Sequence, residues 1–275
     1  MNKLSRDKQI QIVAALVEGN SIRAIARMAD VSRNTISKLL LDLGAACEQY
    51  HDEHVRGLDC KRIQADEIWA YVAKKDSALT PEQRGQFGIG STWSWVAMDA
   101  DSKLIVSWLT GDRGGESAYQ FMQDVAGRLN HRVQLTTDGH GAYLEAVDRA
   151  FYGEIDYAQL IKIYGGSANG PETRYSPGEV TGVKKRRISG RPVKQDVSTS
   201  YIERQNLTMR MGMRRFTRLT NGFSKSVKFH VASIALHFMH YNFVRVHQTL
   251  RCSPAMEAGL TKHLWEIGDL VDLLR

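Results

Sequence analysis

An aspartate interrupts an otherwise apolar segment of this chain. Asp66 and Glu67 stand between the segment Ile63-Gln64-Ala65 and the apolar run 68–72, a composition that predicts a strand over residues 62–74. Burying an unpaired carboxylate is costly. A fold that places Asp66 on this strand therefore has to supply a partner for its charge.

Two further carboxylates hold comparable positions. Asp138 ends the apolar run 133–137 just before Gly139, and Glu203 stands among arginines in a segment that predicts a helix. A carboxylate at a strand end is held rigidly and faces solvent, which suits hard cations such as Mg²⁺. We therefore expect Asp66, Asp138 and Glu203 to be the catalytic residues and metal ligands.

A cluster of three carboxylates repels itself strongly without cations. Two divalent ions, Mg²⁺ or Mn²⁺, are the natural partners, since a two-metal site activates a water or a 3′-hydroxyl and stabilises the leaving oxygen at phosphorus. Glu67 is left out of the predicted site, because a regular strand points it to the face opposite Asp66.

Each acid also has a purely structural interpretation. Asp138 and Gly139 form a pair typical of a turn that ends a strand. Glu203 has neighbouring arginines with which a surface ion pair is common and contributes little. The three acids occur together with a basic helix and a helix-turn-helix pattern, and this combination favours a functional site.

The positive charge of the chain is local. The 275 residues carry a net charge of +7, but residues 184–218 hold eleven Lys and Arg against two acids, so the remainder nets −2. Such a distribution is typical of a nucleic-acid footprint. On a helix predicted over 197–218, Glu203, Arg210 and Arg214 fall within about 40° of one another. The predicted DNA contacts of this region are Lys184, Lys185, Arg186, Arg187, Asn206, Arg210 and Arg214.

Residues 5–43 read as three short helices capped by Ser5, Ser21 and Ser32. The second and third helices, over 22–28 and 33–41, have helix-turn-helix spacing. Asp30 occupies the turn position where glycine is commonest, because a positive φ is costly for other residues. An ordinary three-helix packing unit is the structural alternative. The residues predicted to face the DNA major groove are Arg33, Asn34, Ser37 and Lys38.

The remaining pattern predicts an α/β fold in which a mixed sheet is flanked by helices and preceded by a small all-α domain. Residues 165–195 are rich in Gly, Lys and Arg and predict a long irregular loop that contacts DNA. Predicted strands span 62–74, 91–98, 103–110, 133–137 and 156–163, and predicted helices span 116–129, 141–151, 197–218 and 227–245. The predicted domains are a helix-turn-helix domain (1–44), a linker (45–60), a catalytic domain (61–245) and a carboxyl-terminal tail (246–275).

Cysteine content and hydropathy exclude several classes of protein. The cysteines Cys47, Cys60 and Cys252 are far apart and odd in number, which indicates neither a disulfide framework nor a CxxC metal site. No apolar run approaches the length of a membrane span, and residues 1–7 lack the apolar core of a signal peptide. We expect a soluble cytoplasmic protein with no membrane partner.

The motifs around the three acids resemble the catalytic motifs of bacterial insertion-sequence DDE transposases, most closely the insertion sequence one (IS-one) family. They read Asp66-Glu67-Ile68-Trp69, Thr137-Asp138-Gly139-His140 and Tyr201-Ile202-Glu203-Arg204-Gln205-Asn206, and the tail from Tyr241 to Arg251 with Ser253-Pro254-Ala255-Met256 is similar too. The resemblance covers about residues 20–262. Members often carry a cysteine zinc module before the helix-turn-helix, whereas this sequence has no cysteine before Cys47.

The resemblance implies a ribonuclease H-like core, Mg²⁺ dependence, action on terminal inverted repeats and a location at the bacterial nucleoid. We expect a transposase that cuts double-stranded DNA at transposon ends and joins the 3′-hydroxyl to target DNA. Because two ends are processed together, we expect a homodimer or higher multimer on DNA.

Two other functions remain as alternatives. One is a helix-turn-helix regulator with an inactive nuclease core, against which the intact carboxylates argue. The other is a ribonuclease H-like nuclease acting on RNA hybrids or DNA junctions. A helix-turn-helix reads the major groove of duplex DNA, which A-form helices do not offer, and this disfavours a hybrid substrate.

Overall fold

The computed structural model describes residues 4–165, 178–217 and 220–275. The predicted serine caps are confirmed, because each hydroxyl accepts a hydrogen bond from the backbone N–H three residues ahead. Asp30, in the turn between the second and third helices, has a left-handed φ of 50°, as expected for that position. The amino-terminal helices are α1 (Arg6–Val17), α2 (Ile22–Ala29) and α3 (Arg33–His54).

Helix α3 is much longer than predicted. It does not end near residue 41 but continues without interruption to His54, through most of the segment predicted as a linker. Its second half is held by burial, since Leu43 and Cys47 are fully buried and His51 is 2% exposed. The ring Nε2 of His51 also lies 3.1 Å from the backbone oxygen of Ile105. One rigid helix thus runs from the amino-terminal helices to the sheet.

Six strands form one mixed sheet in the order β3-β2-β1-β4-β5-β6. β1 is antiparallel to β2 and β2 to β3, whereas β1 is parallel to β4 and β4 to β5. With helices on both faces, this arrangement confirms the predicted ribonuclease H-like class. The strands are β1 (Arg62–Val72), β2 (Gly90–Asp99), β3 (Ile105–Gly111), β4 (Gln134–Thr137), β5 (Asp156–Tyr164) and β6 (Val180–Ser189).

The irregular loop predicted over 165–195 is wrong for residues 180–189, which form strand β6. β6 pairs antiparallel with β5, from Tyr164 opposite Val180 to Tyr157 opposite Ser189. Its charged residues suggested a loop because buried strands rarely carry them. β6 lies at the sheet edge and none of its residues is buried, and charges are frequent on edge strands. Residues 166–177 of the predicted loop lie outside the described residues.

The predicted helix 197–218 is shorter in the structure, because α6 ends at Gly212 and a 3-10 turn (Arg214–Phe216) follows. α7 continues as a π-helical turn (His240–Val244). No helix in the described part of the chain has the length and apolarity to cross a membrane. The remaining helices are α4 (Gly115–Ala126), α5 (Ala142–Phe151), α6 (Ser200–Gly212), α7 (Val227–Met239), α8 (Pro254–Glu257) and α9 (Ile267–Asp272).

Both faces of the sheet are covered. On one face Ile68 of β1 packs in a buried cluster with Ile202 of α6 and Phe238 of α7. On the other face Leu135 of β4 packs with Phe121 of α4 and with α5. Helix α6, which carries Glu203, is thereby fixed against β1, which carries Asp66.

Helices α3 and α7 approach each other closely at a glycine. A Cβ built on Gly44 would lie 2.5 Å from the Cβ of Ala232 and 2.8 Å from its backbone oxygen. Neither helix has room for a larger residue at this point. Because α7 also packs on the sheet, the contact holds the amino-terminal helices against the rest of the molecule.

We predict that Gly44→Ala lowers the free energy of unfolding by about 2 kcal/mol, since overpacking of a close contact outweighs the higher helix propensity of alanine. Urea denaturation followed by circular dichroism measures the effect. Gly115→Ala is the matched control, because a Cβ at Gly115 in α4 meets nothing within 4 Å. Equal stability of the two variants would contradict the prediction.

Candidate active site

The site forms where strand β4 ends. Pairing between β1 and β4 stops at Ala65 opposite Thr137, whereas β1 continues to Val72 beside β2. From Asp66 onward, one edge of β1 is therefore not covered by β4. Asp138 follows the last residue of β4 and projects into the same region.

Three carboxylates meet at this edge. Ligand oxygens of Asp66, Glu67 and Asp138 all lie within 4.8 Å of one another. The meeting of Asp66 and Asp138 was predicted, whereas Glu67, which was left out of the predicted site, also brings its carboxylate to this point. Asp66 contacts α6 and Glu67 contacts α5, as expected for opposite faces. At an edge without β4, however, the ends of both side chains reach the same space.

Glu67 is buried and held by several donors. Its Oε1 accepts from Nε of Arg113 at 2.8 Å and from Nη2 at 2.6 Å, and its Oε2 accepts from the hydroxyl of Tyr143 at 3.2 Å. The Arg113 guanidinium also lies over the ring of Trp93, 4.4 Å from its centroid. Burial, followed by the charge of Asp138, raises the pKa of Glu67, and Arg113 opposes that rise.

Asp66 has hydrogen-bond donors but a strongly perturbed pKa. Its Oδ2 accepts from Nδ2 of Asn206 at 2.8 Å, and its Oδ1 accepts from the backbone N–H of Glu67 at 2.9 Å. Burial raises the pKa of Asp66 to about 8, with further increases from the charges of Glu67, Asp138 and Glu203. A bound cation would remove this penalty, so Asp66 is poised to bind one.

The loop after β4 orients Asp138. The backbone N–H of His140 donates to Oδ1 of Asp138 at 2.8 Å. His140 is fixed in turn, since its Nε2 lies 3.2 Å from the backbone oxygen of Arg113 and its carbonyl accepts from Gln159 at 3.3 Å. This loop thus ties Asp138 to the segment that holds Glu67.

Glu203 lies in the first turn of α6, next to this cluster but outside the group of three. Its Oε2 accepts from Nζ of Lys162 at 2.5 Å, and its Oε1 accepts from the hydroxyl of Thr199 at 2.5 Å. It is close enough for its charge to raise the pKa of Asp66. The structure thus brings Asp66 and Asp138 together and places Glu203 alongside, bound to a lysine.

The donor set fits a hard divalent cation. Carboxylate and amide oxygens are the ligands that Mg²⁺ and Mn²⁺ prefer. Besides the three carboxylates, the Oδ1 of Asn206 is buried without a hydrogen-bond partner, although the same amide contacts Asp66. The unsatisfied Oδ1 of Asn206 and the mutually repelling carboxylates would both be stabilised by a bound cation.

The predicted recognition residues lie at the start of α3. Arg33, Asn34 and Lys38 are exposed, and Ser37 is half-buried. Lys38 forms an i,i+4 ion pair with Asp42 at 2.5 Å. This end of α3 thus offers polar and basic side chains to solvent.

The four basic residues predicted on a loop lie instead on β6. From the pairing with β5, Lys184 and Arg186 share one face of the sheet, and Lys185 and Arg187 share the other. The Nζ of Lys185 donates to the backbone oxygens of Lys194 and Gln195 at 2.9 and 3.4 Å, whereas Lys184, Arg186 and Arg187 are exposed.

The three remaining predicted contacts are arranged differently from the expectation. Because α6 ends at Gly212, Arg214 lies in the following 3-10 turn and not on one helical stripe with Glu203 and Arg210. Arg214 is exposed and Arg210 is half-buried. Asn206 is only 5% exposed, and its hydrogen bond to Asp66 places it at the acidic cluster.

Sequence reasoning missed Glu67, Arg113, Tyr143 and Lys162. The one available signal was that Glu67 is adjacent to Asp66 in an apolar strand. The other three come from a loop, a helix and a strand that only folding brings to the site. Nothing in their local sequence marks them.

A mixed sheet in this order, with an acidic cluster at the end of β4, defines a ribonuclease H-like protein with a candidate cation site. No protein-family model matches the sequence, and no curated protein matches it. Solved structures of transposases match this chain at low sequence identity and low TM-score. Two of them are described next.

The Mos1 transposase paired-end complex with left transposon end is 14% identical, and the match covers 57% of this chain and 60% of that chain at a TM-score of 0.25. The piggyBac transposase synaptic complex with hairpin DNA is 9% identical, with 99% and 71% covered at a TM-score of 0.43. The chain thus spans about three fifths of the Mos1 chain in that match. At these values the similarity does not extend to the chemistry of the site.

We predict that the metal-free protein loses stability as the pH rises from about 7 to 8. Below this range the buried His51, His230 and His237, whose pKa values are lowered by burial, make stability rise with pH. The folded-state pKa of Asp66, about 8, lies above its ordinary value of 3.8. Between these values the folded protein holds a proton that the unfolded chain has released. The contribution of Asp66 is therefore complete at low pH and is lost toward pH 8, by at most about 1.4 kcal/mol per pH unit.

Urea denaturation with a chelator over roughly pH 7 to 8, above the range in which the buried histidines contribute, measures this slope. Asp66→Asn should flatten it and should be more stable than the wild type at the alkaline end. Asp148→Asn, which changes an exposed aspartate of α5, is the control and should keep the wild-type slope. Parallel profiles for Asp66→Asn and the wild type would show that Asp66 does not titrate in this window.

Proposed function

We propose that this protein is a DNA transposase of the DDE type. It binds the terminal inverted repeats of its element and cleaves the DNA strand in a metal-dependent reaction. The released 3′-hydroxyl then attacks a phosphodiester of the target DNA, which joins the two DNAs and releases the target's 3′-oxygen. The observation that carries the proposal is the acidic cluster of Asp66, Glu67 and Asp138 within 4.8 Å, with Glu203 beside it on α6. The motif resemblance around the same residues supports it.

In this proposal Asp66, Asp138 and Glu203 hold two Mg²⁺ or Mn²⁺ ions, and Glu67 adds a carboxylate that sequence reasoning left out. When bound, the ions would supply activation of the attacking hydroxyl and stabilisation of the leaving oxygen. Arg113 and Tyr143 orient Glu67, and Asn206 orients Asp66. Rigid strands hold the carboxylates in place before DNA arrives, as electrostatic preorganisation requires.

The proposed DNA surface has two parts. The exposed start of α3, with Arg33 and Asn34, reads the major groove of the transposon end in the manner of a helix-turn-helix. The exposed Lys184 and Arg186 of β6 contact phosphates, which give affinity without sequence information. Two ends are processed together, so the active form is a homodimer or higher multimer on DNA.

We predict that Asp66→Asn abolishes Mg²⁺-dependent nicking and strand transfer while end binding is retained. The variant removes a ligand charge but leaves α3 unchanged. The substrate is a labelled duplex bearing the inverted repeat that brackets the reading frame. Gel shift measures binding, and denaturing gels measure nicking and joining.

Asp148→Asn is the matched control and should nick at the wild-type rate. An RNA–DNA hybrid of the same sequence serves as the competing substrate. Retained cleavage by Asp66→Asn would overturn the assignment of the acidic cluster. Preferential cleavage of the hybrid would favour a ribonuclease, and end binding without nicking by the wild type would favour a regulator.

We predict that Lys184→Ala weakens binding to duplexes of any sequence. If Lys184 neutralises one phosphate, the slope of log binding constant against log salt concentration falls in magnitude by about 0.9. A salt titration by fluorescence anisotropy measures it. Lys262→Ala, an exposed lysine far along the tail, is the control, and an equal effect at both positions would contradict a specific role for β6.

A further inference from the structure

Glu203 is the one predicted metal ligand that the structure finds outside the acidic group of three, and its two oxygens have different partners. The hydroxyl of Thr199 donates to Oε1, and the ammonium of Lys162 donates to Oε2, both at 2.5 Å. Thr199 is 3% exposed and directly precedes α6. Its hydroxyl does not cap the helix but fixes one oxygen of Glu203.

Lys162 reaches Glu203 from the sheet. It lies near the end of β5, opposite Val183 of β6. The alternation of side chains along β5 puts it on the same face as Ala158 and Leu160, and these two residues pack against the segment that precedes α6. The position of Lys162 is therefore set by the sheet, and that of Glu203 by the first turn of a helix.

We propose that Lys162 is a resident counter-ion of Glu203, which a divalent cation displaces when Glu203 joins Asp66 and Asp138 around the metal. This inference rests on the metal site of the proposed function. It assigns Lys162 a positioning role that follows from its contact with a single carboxylate oxygen. Departure of the Lys162 ammonium would free Oε2 of Glu203 as a cation ligand, while Thr199 would keep its bond to Oε1.

The exposure of the pair makes this exchange feasible. The side chains of Lys162 and Glu203 are 31% and 37% exposed, and partly exposed ion pairs are weak. The ammonium can move into solvent without being stranded in an apolar environment. By contrast, Glu67 has a side chain only 1% exposed, and its Oε1 accepts hydrogen bonds from both Nε and Nη2 of Arg113. Of the two paired carboxylates, Glu203 is the one whose cation can leave.

The counter-ion also reduces repulsion in the metal-free protein. Glu203 already raises the pKa of Asp66 through its charge, and an unpaired Glu203 would add more. With Lys162 bound, the positive charge stays close to the site until the cation arrives. Removing the lysine should therefore increase the affinity of the site for cations.

Binding of Mn²⁺ to the full chain without DNA tests the inference. Electron paramagnetic resonance measures the free ion. We expect Lys162→Met to bind Mn²⁺ about fivefold more tightly, since the competing ammonium is lost. Lys162→Arg keeps a cation and should stay within about twofold of the wild type. Lys194→Met removes one charge from an exposed lysine before α6 and should also stay within that range.

A double variant isolates the contact. If Lys162 acts through Glu203, then Glu203→Gln removes the gain, so Glu203→Gln and the double variant with Lys162→Met should bind Mn²⁺ equally. Thermal unfolding confirms that each variant is folded. If Lys162→Met is not folded, Lys162→Gln is used in its place. Unchanged or weaker Mn²⁺ binding by Lys162→Met overturns the inference, as does a gain that persists with Glu203→Gln.

The outcome is distinguishable from a failure of the proposed function. If Asp138→Asn loses Mn²⁺ binding while Lys162→Met matches the wild type, the acidic site stands and the counter-ion role is refuted. If the wild type binds no Mn²⁺, both the site and the counter-ion role are refuted. If the expected gain appears but strand transfer does not, the counter-ion role stands and the transposase assignment is refuted.

Discussion

The early end of β4 is the constraint on which the acidic site depends. Pairing with β1 stops at Ala65 opposite Thr137, and β1 then runs on to Val72 with β2 on its other side. If β4 were two residues longer, its backbone would cover the edge of β1 and separate Asp66 from Glu67. Because it is short, side chains from both faces of β1 and the residue after β4 occupy one space. Because β4 is shorter than β1, carboxylates that start on opposite faces of β1 lie together with Asp138 in one cluster.

The cluster is oriented by donors but not neutralised. Arg113 holds Glu67, Asn206 holds Asp66, and the backbone of His140 holds Asp138. Among the described residues no lysine or arginine pairs with Asp66, and burial with nearby charge raises its pKa to about 8. If every carboxylate of the cluster were paired with a basic side chain, a cation would gain little free energy by binding there. The incomplete pairing is therefore a stability cost of the kind found at functional sites.

Short strand-like segments next to a carboxylate were sufficient to predict β4 and the strand around Asp66, and the parallel pairing of β1 with β4 brought Asp66 to Asp138 as expected. The alternation rule failed for Glu67 because it gives the direction of Cβ and not the position of a long side chain at an uncovered edge. β6 was missed because an exposed edge strand buries no face and so produces no pattern. The pairing of Lys162 with Glu203 joins a strand to a helix 41 residues later. No sequence pattern near either residue predicts this contact.

The continuity of α3 gives the proposed function a geometric consequence. Its 22 residues span about 33 Å, from Arg33 at the proposed DNA-reading end to the end that lies against β3. A flexible linker would let the reading helices move independently of the acidic site. Here the amino-terminal helices are fixed by two contacts of α3. Gly44 packs closely against Ala232, and His51 lies at the backbone oxygen of Ile105. Under the proposed function, this packing would hold the DNA-reading end of α3 in a fixed position relative to the acidic cluster.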